Sequence, residues 1–148
     1  MSRTPALPLT AEAALRKKCS RILSAHKRRA RADGKTLHYS LDDLVDLATK
    51  QRTCGYCLYP VALDFQFDHR CPIARGGHHE LYNLEVACPR CNQLKGRLTN
   101  DEFVRFREFL KGLRVAASDD LCRRLLAGTK VYRGSRMRIT LEVGTEKE

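Results

Sequence analysis

Two Cys-x-x-Cys pairs, Cys54/Cys57 and Cys88/Cys91, constrain this chain more than any other feature, and thirty residues separate them. A stretch this short lies near the size, about 40 residues, below which a core needs help from a metal or disulfides. Two such pairs supply four thiolates, the full tetrahedral shell of a structural Zn2+ ion. A redox pair, the competing reading, needs a single Cys-x-x-Cys. A secreted disulfide scaffold fits poorly, because seven cysteines is an odd count and Met1-Ser2-Arg3-Thr4-Pro5 lacks the apolar run of a secretory signal. The expected compartment is therefore a reducing cytoplasm, where paired cysteines bind metal. No run approaches the ~20 apolar residues of a membrane span, so no membrane partner is expected. Cys19, Cys71 and Cys122 stand alone and read as buried thiols without a chemical duty.

A shell of four cysteines is closed to water, so chemistry has to come from the residues that it brackets. These include Phe67-Asp68-His69, Gly76-Gly77 and Asn83-Leu84, with Asn92 and Lys95 directly after the second pair. Leu63, Phe65 and Phe67 alternate with Asp64, Gln66 and Asp68, which predicts a half-buried strand from Leu63 ending at a polar site. Gly76-Gly77 marks a loop, Leu84–Ala87 a short returning strand and residues 89–97 a short helix. His78 and His79 follow the glycines and read as solvent-facing or turn residues.

The net charge of +11 is uneven. Residues 1–52 hold twelve Lys/Arg against five Asp/Glu, residues 53–97 five against four, and residues 98–148 eleven against eight. The excess lies mainly outside the cysteine segment, which favours a separate polyanion-binding face. Thr10 can cap a helix to about Arg31, stopped by Asp33-Gly34. Leu15, Cys19, Ile22, Leu23 and His26 lie near one face, and Arg16, Lys17, Lys18, Arg21, Lys27, Arg28, Arg29 and Arg31 cover much of the rest. A like-charge face repels itself unless anions neutralise it, so phosphate contact is expected there. His26 and His38 show no ligand pattern and read as structural or solvated. Ser40-x-x-Asp43 opens a second helix to about Lys50, and Thr99-x-x-Glu102 a later one with Phe103, Phe106, Phe109/Leu110 and Leu113 as its packing stripe. Residues 119–127 read as a further helix stopped by Gly128, and residues 131–143 as a weak strand or a mobile tail. The expected organisation is a basic helical region (1–52), a zinc-stapled core (53–98), and C-terminal helices and tail (99–148), an α+β chain.

The bracketed motifs together resemble the HNH endonuclease family, the ββα-metal nucleases. The family pattern reads here as Asp68-His69, Gly76-Gly77, Asn83-Leu84 and Cys88-Pro89-Arg90-Cys91-Asn92-Gln93-Leu94-Lys95-Gly96, over residues 52–98. The resemblance implies a ββα-metal, treble-clef-like core in which His69 is the general base that deprotonates water. It implies that Asp68 and Asn92 are the ligands of a single Mg2+ or Mn2+ ion, Asn92 making this an H-N-N variant. Asn83 would bridge the loop backbone and hold His69 in orientation, and the substrate would be a DNA duplex cut to leave a 5′ phosphate. An imidazole of reference pKa near 6.5 suits the base, and two oxygen donors suit a hard cation. Arg28, Arg29, Arg31, Arg70 and Lys95 are the expected nucleic-acid contacts, with Arg75, Arg90 and Arg97 as further candidates. Arg70-Cys71 departs from the apolar residue common after the family's Asp-His. One site cuts one strand, so a double-strand break needs a second visit or a dimer. The rival reading is a non-catalytic treble-clef zinc module that binds nucleic acid. Loss of Asp68, His69 or Asn92 would mark it, and all three are present.

Overall fold

The computed structural model describes residues 9–134. Helix α1 spans Leu9–Ala32. Leu15, Cys19, Leu23, His26 and Ala30 recur on it at spacings of three and four, and all five are buried. The helix ends where Gly34 takes φ 63°, so that Lys35 N–H donates to Ala30 O (2.8 Å) and Gly34 N–H to Arg31 O (3.2 Å). This double closure satisfies carbonyls that the last turn would otherwise leave open. Strand β1, Leu37–His38, leads into helix α2, Leu41–Lys50. The expected capping box is present there: Ser40 and Asp43 each satisfy the other's backbone N–H.

Strand β2 covers Gln66–His69 and pairs antiparallel with β4, Leu84–Ala87, with His69 opposite Leu84 and Asp68 opposite Glu85. The strand expected from Leu63 starts three residues later. No strand among the described residues pairs with residues 63–65, since β4 gives way to the N-cap of the next helix, and Leu63 is exposed. Asp68, expected on the solvent face, is buried. A second, two-stranded sheet pairs β1 in parallel with β3, His79–Glu80, placing Leu37 opposite His79.

Helix α3, Pro89–Lys95, begins at Cys88, and α4, Asn100–Gly112, begins at the expected Thr99/Glu102 box, Thr99 N–H to Glu102 Oε2 at 2.8 Å. Phe103 is fully buried against the Tyr56 ring, but Phe109 is exposed, so the packing stripe of α4 is narrower than its sequence implies. Helix α5, Val115–Gly134, runs through Gly128 instead of stopping there. One internal glycine costs only about 1 kcal/mol relative to alanine, too little to end a helix of this length. Residues 131–134, expected to be strand or tail, are helical, and residues 135–143 lie outside the described residues.

The chain divides into two compact units, residues 1–112 and 113–148, and the candidate site lies wholly in the first. Its core joins the apolar face of α1 and α2 to Phe65, Phe67, Leu84, Val86 and Phe103. The fold is α+β, as the sequence implies. No helix among the described residues is long and apolar enough to cross a membrane.

Candidate functional site

Two chain reversals bring the cysteine pairs together. Cys54–Cys57 turns tightly, with Leu58 N–H donating to Cys54 O (2.8 Å), and Cys88 caps α3 with its sulfur accepting from Cys91 N–H (3.4 Å). All four sulfurs lie within 4.8 Å of one another, and Cys57 Sγ and Cys88 Sγ are 3.8 Å apart. Tetrahedral Zn–S bonds of about 2.3 Å place neighbouring sulfurs at roughly this separation, far beyond an S–S bond. The donor set therefore fits Zn2+. Burial opposes ionisation of Cys54, but N–H groups of Cys88, Cys57 and Tyr56 outweigh it and hold the thiol below its ordinary value. Burial, reinforced by the neighbouring sulfurs, pushes Cys91 up. Thiolates packed so closely need a cation to coexist. A Cβ on Gly55 would overlap the Glu85 side chain, which Arg70 holds in place.

Asp68 and His69 end β2. Across the ladder Asp68 faces Glu85, an opposition of like charges that destabilises unless each is paired. Each has a partner. Arg70 donates through Nε (3.1 Å) and Nη2 (2.7 Å) to Glu85 Oε2, and Lys95 Nζ lies 2.9 Å from Asp68 Oδ2. Tyr56, from inside the first cysteine turn, donates its hydroxyl to the same Asp68 oxygen at 2.5 Å. Burial lifts the Asp68 carboxyl above its ordinary value, while the Tyr56 and Lys95 hydrogen bonds pull it down. The Lys95 contact has the short geometry of a charge-assisted pair.

Lys95 was expected to reach a phosphate. It is instead fully enclosed, its ammonium shared between Asp68 and the His69 carbonyl (2.8 Å). Its position three residues after Asn92 points it inward, because that face of α3 covers β2. Arg70 is half exposed and already engaged by Glu85.

The His69 imidazole sits among other imidazoles. Its ring centroid is 5.4 Å from that of His26 and 5.2 Å from that of His79. Burial, then His26, His79, Lys95 and Arg29, pushes its pKa down to about 3, so the ring is neutral across the physiological range. Burial, then Arg29 and His79, likewise lowers His26 to about 4, and burial with Lys35 lowers His79. His69 Nε2 and both ring nitrogens of His79 are buried with no hydrogen-bond partner among the described residues. Such groups cost about 1–3 kcal/mol each, and their clustering is a mark of sites that bind or react.

These groups border a cleft of about 240 Å³ lined by Asp68, His69, His79 and Gly96 together with Arg29 and Asp33 from the end of α1. Asp33 and Asp68 put hard oxygen donors on its wall, but among the described residues only the four cysteines form a group of three or more close enough to share one ion. Asn92 is not among the lining residues; its side-chain amide donates to Gln66 Oε1 on the exposed start of β2. Asn83 is buried and bridges the loop backbone. Its Oδ1 accepts from Cys71 N–H (2.8 Å), and its Nδ2 donates to Cys71 O (3.0 Å) and His78 O (2.9 Å). Gly77 completes that loop, where a Cβ would overlap the Cys71 carbonyl. Of the basic helix residues, Arg29 reaches the cleft while Arg28 and Arg31 are exposed. Lys18 turns back onto the protein, its ammonium 4.7 Å from the Phe65 ring centre.

His26, Asp33 and His79 were missed as site residues. His79 reads as part of a loop, yet β1 pairs with it and buries it. His26 falls on the apolar face of α1, which signals burial and nothing about its neighbour. His38, by contrast, is exposed, with Glu80 at 3.8 Å.

A family model described as HNH endonuclease matches residues 54–98. The match bears out the resemblance and takes in the four cysteines, Asp68, His69, His79, Asn83, Asn92 and Lys95. His26, Arg29, Asp33 and Tyr39 lie outside it. No curated protein and no solved structure matches the chain.

Proposed function

We propose that this chain is a metal-dependent endonuclease that hydrolyses DNA phosphodiester bonds, with zinc on Cys54, Cys57, Cys88 and Cys91 serving as a structural staple. One observation carries the reading: a neutral imidazole and a carboxylate, His69 and Asp68, line one cleft together with a cationic residue of the basic helix, Arg29. His69 takes the proton of the attacking water, a role worth about 10²–10⁴-fold. Its basicity is low in the free protein. A scissile phosphate entering the cleft brings negative charge that draws the pKa back up toward the effective range. Asp68 would hold a Mg2+ or Mn2+ ion, and Asn92 would join it by exchanging its bond to Gln66. When bound, that ion offsets charge at phosphorus and stabilises the leaving 3′ oxygen. Asn83 fixes the loop that carries Cys71 and His78, and Lys95 fixes Asp68 and the His69 backbone. Arg28, Arg29, Arg31 and Arg70 supply phosphate contacts, which give affinity to a duplex without reading its sequence.

The rival is a zinc module that binds nucleic acid without cutting it. It draws on the engagement of Asn92 by Gln66 and of Asp68 by Lys95. Incubating supercoiled plasmid with the zinc-loaded chain and Mg2+ or Mn2+ separates the two. The nuclease reading expects nicked or linear product from the wild type and none from His69→Ala. Intact plasmid across both metals would sink it, and undiminished cutting by His69→Ala would remove His69 from the role of base.

A further inference from the structure

Within the HNH-matched segment, nothing hydrogen-bonded to the His69 ring accounts for its orientation. Asn83 binds backbone groups of Cys71 and His78, and Lys95 binds the His69 carbonyl, so both fix the main chain. The ring's own Nε2 is buried without a hydrogen-bond partner among the described residues. Its direction is therefore set by packing, and its ring neighbours are His26, tilted 41° to it, and His79, at 84°. His26 is itself fixed. It is buried on α1, and its Nδ1 lies 2.7 Å from the Tyr39 hydroxyl, with the two rings edge to face. Tyr39 directly follows β1, whose Leu37 pairs with His79. The short stretch of residues 37–39 thus places both ring neighbours of His69, one through a hydroxyl and one through strand pairing.

We propose that His26, held by Tyr39, is a positioning residue for His69, and that the N-terminal helix is a structural part of the reactive site as well as a phosphate-binding arm. The proposal rests on the reading of His69 as the base. An imidazole held by contact alone can rotate about its side-chain bonds, and a base whose nitrogen swings away from the attacking water loses rate rather than affinity. Packing against a ring that is itself fixed by a hydroxyl narrows that freedom. Groups that orient a reacting side chain from behind typically account for about 10–100-fold in activity.

The test uses the full zinc-loaded chain, a duplex oligonucleotide and Mn2+ under single-turnover conditions, with histidine ring protons followed by NMR in the absence of DNA. His26→Ala is expected to lower the maximal rate about 10–100-fold while the half-saturating protein concentration stays within about twofold. Tyr39→Phe is expected to give an intermediate loss. The His69 ring resonances should move in both His26→Ala and Tyr39→Phe. A His26→Ala rate within about twofold of wild type overturns the proposal, and so do His69 resonances left unshifted by Tyr39→Phe. If the wild type cuts no DNA, the base reading has failed, while the NMR shifts still decide whether His26 and Tyr39 position the ring.

Discussion

Replacing Lys95 by methionine removes a charge that the fold has sealed inside itself. The Lys95 ammonium is fully buried and divides its donors between Asp68 Oδ2 at 2.9 Å and His69 O at 2.8 Å. Methionine keeps most of the volume and loses both contacts. Asp68 then remains buried, facing Glu85 across the ladder, with the Tyr56 hydroxyl as its remaining contact from this network. Breaking a buried pair from one side costs about 3–5 kcal/mol. The stranded His69 carbonyl contributes a further share of about 1–3 kcal/mol, overlapping the first because the two contacts belong to one ammonium. The expected loss is about 4 kcal/mol, and at about 3–4 °C per kcal/mol for a chain of this size the melting midpoint falls by roughly 12–17 °C. Adding Asp68→Asn neutralises the uncompensated carboxylate, so the double variant should regain about 2 kcal/mol over Lys95→Met alone. Urea unfolding at fixed, saturating zinc measures this, followed by far-UV dichroism because the chain has no tryptophan. A Lys95→Met loss below about 1 kcal/mol, the range of an exposed pair, would refute the reasoning. So would a double variant whose losses simply add.

Three further outcomes follow from the same structure. Asn83→Ala strands Cys71 N–H and two carbonyls and should cost about 3 kcal/mol in urea unfolding, whereas a loss under about 1 kcal/mol would show that the loop holds itself. His26 has its folded pKa depressed to about 4 from an ordinary 6.5, so its stabilisation is complete above pH 6.5 and drains away as pH falls toward 4. Lowering the pH from 7.5 to 5.5 should therefore destabilise the wild type by about 1.3 kcal/mol more than His26→Phe at constant bound zinc; equal drops would mean that His26 titrates normally in the fold. Replacing Arg28, Arg29 and Arg31 by glutamine should weaken duplex binding and flatten the slope of log affinity against log salt by about 0.9 per lost phosphate contact, and an unchanged slope would remove the helix from the interface.

The four cysteines, the two capping boxes, β4 and the break after α1 were legible in the sequence because each rests on local chemistry: ligand spacing, a hydroxyl three residues from an acid, the short run of Leu84, Val86 and Ala87 around one glutamate, a glycine. The motif drew attention to Asp68, His69 and Asn83, and in the fold Asn83 bonds the Cys71 backbone on both sides. The inward turn of Lys95 was not, since an exposed lysine and a buried one look alike until it is known which face of α3 covers β2. His79 was hidden because strands as short as β1 and β3 carry no periodicity. The meeting of His26 with His69 joins two segments that local pattern cannot relate, and no hydrophobic spacing encodes it. The run of α5 through Gly128 shows a weak local preference overridden by the length of the helix around it.

On the proposed function, the cysteine-bound metal only holds the fold while hydrolysis belongs to the cleft of Asp68 and His69. The most direct test is the divalent-cation dependence of plasmid cleavage by chain carrying one equivalent of zinc and dialysed free of other metals. No cleavage without added Mg2+ or Mn2+, and onset of cleavage at 5′-phosphate ends when either is supplied, is the predicted result. Cleavage that proceeds with zinc alone and is indifferent to a second cation would place the reaction at the cysteine-bound metal instead.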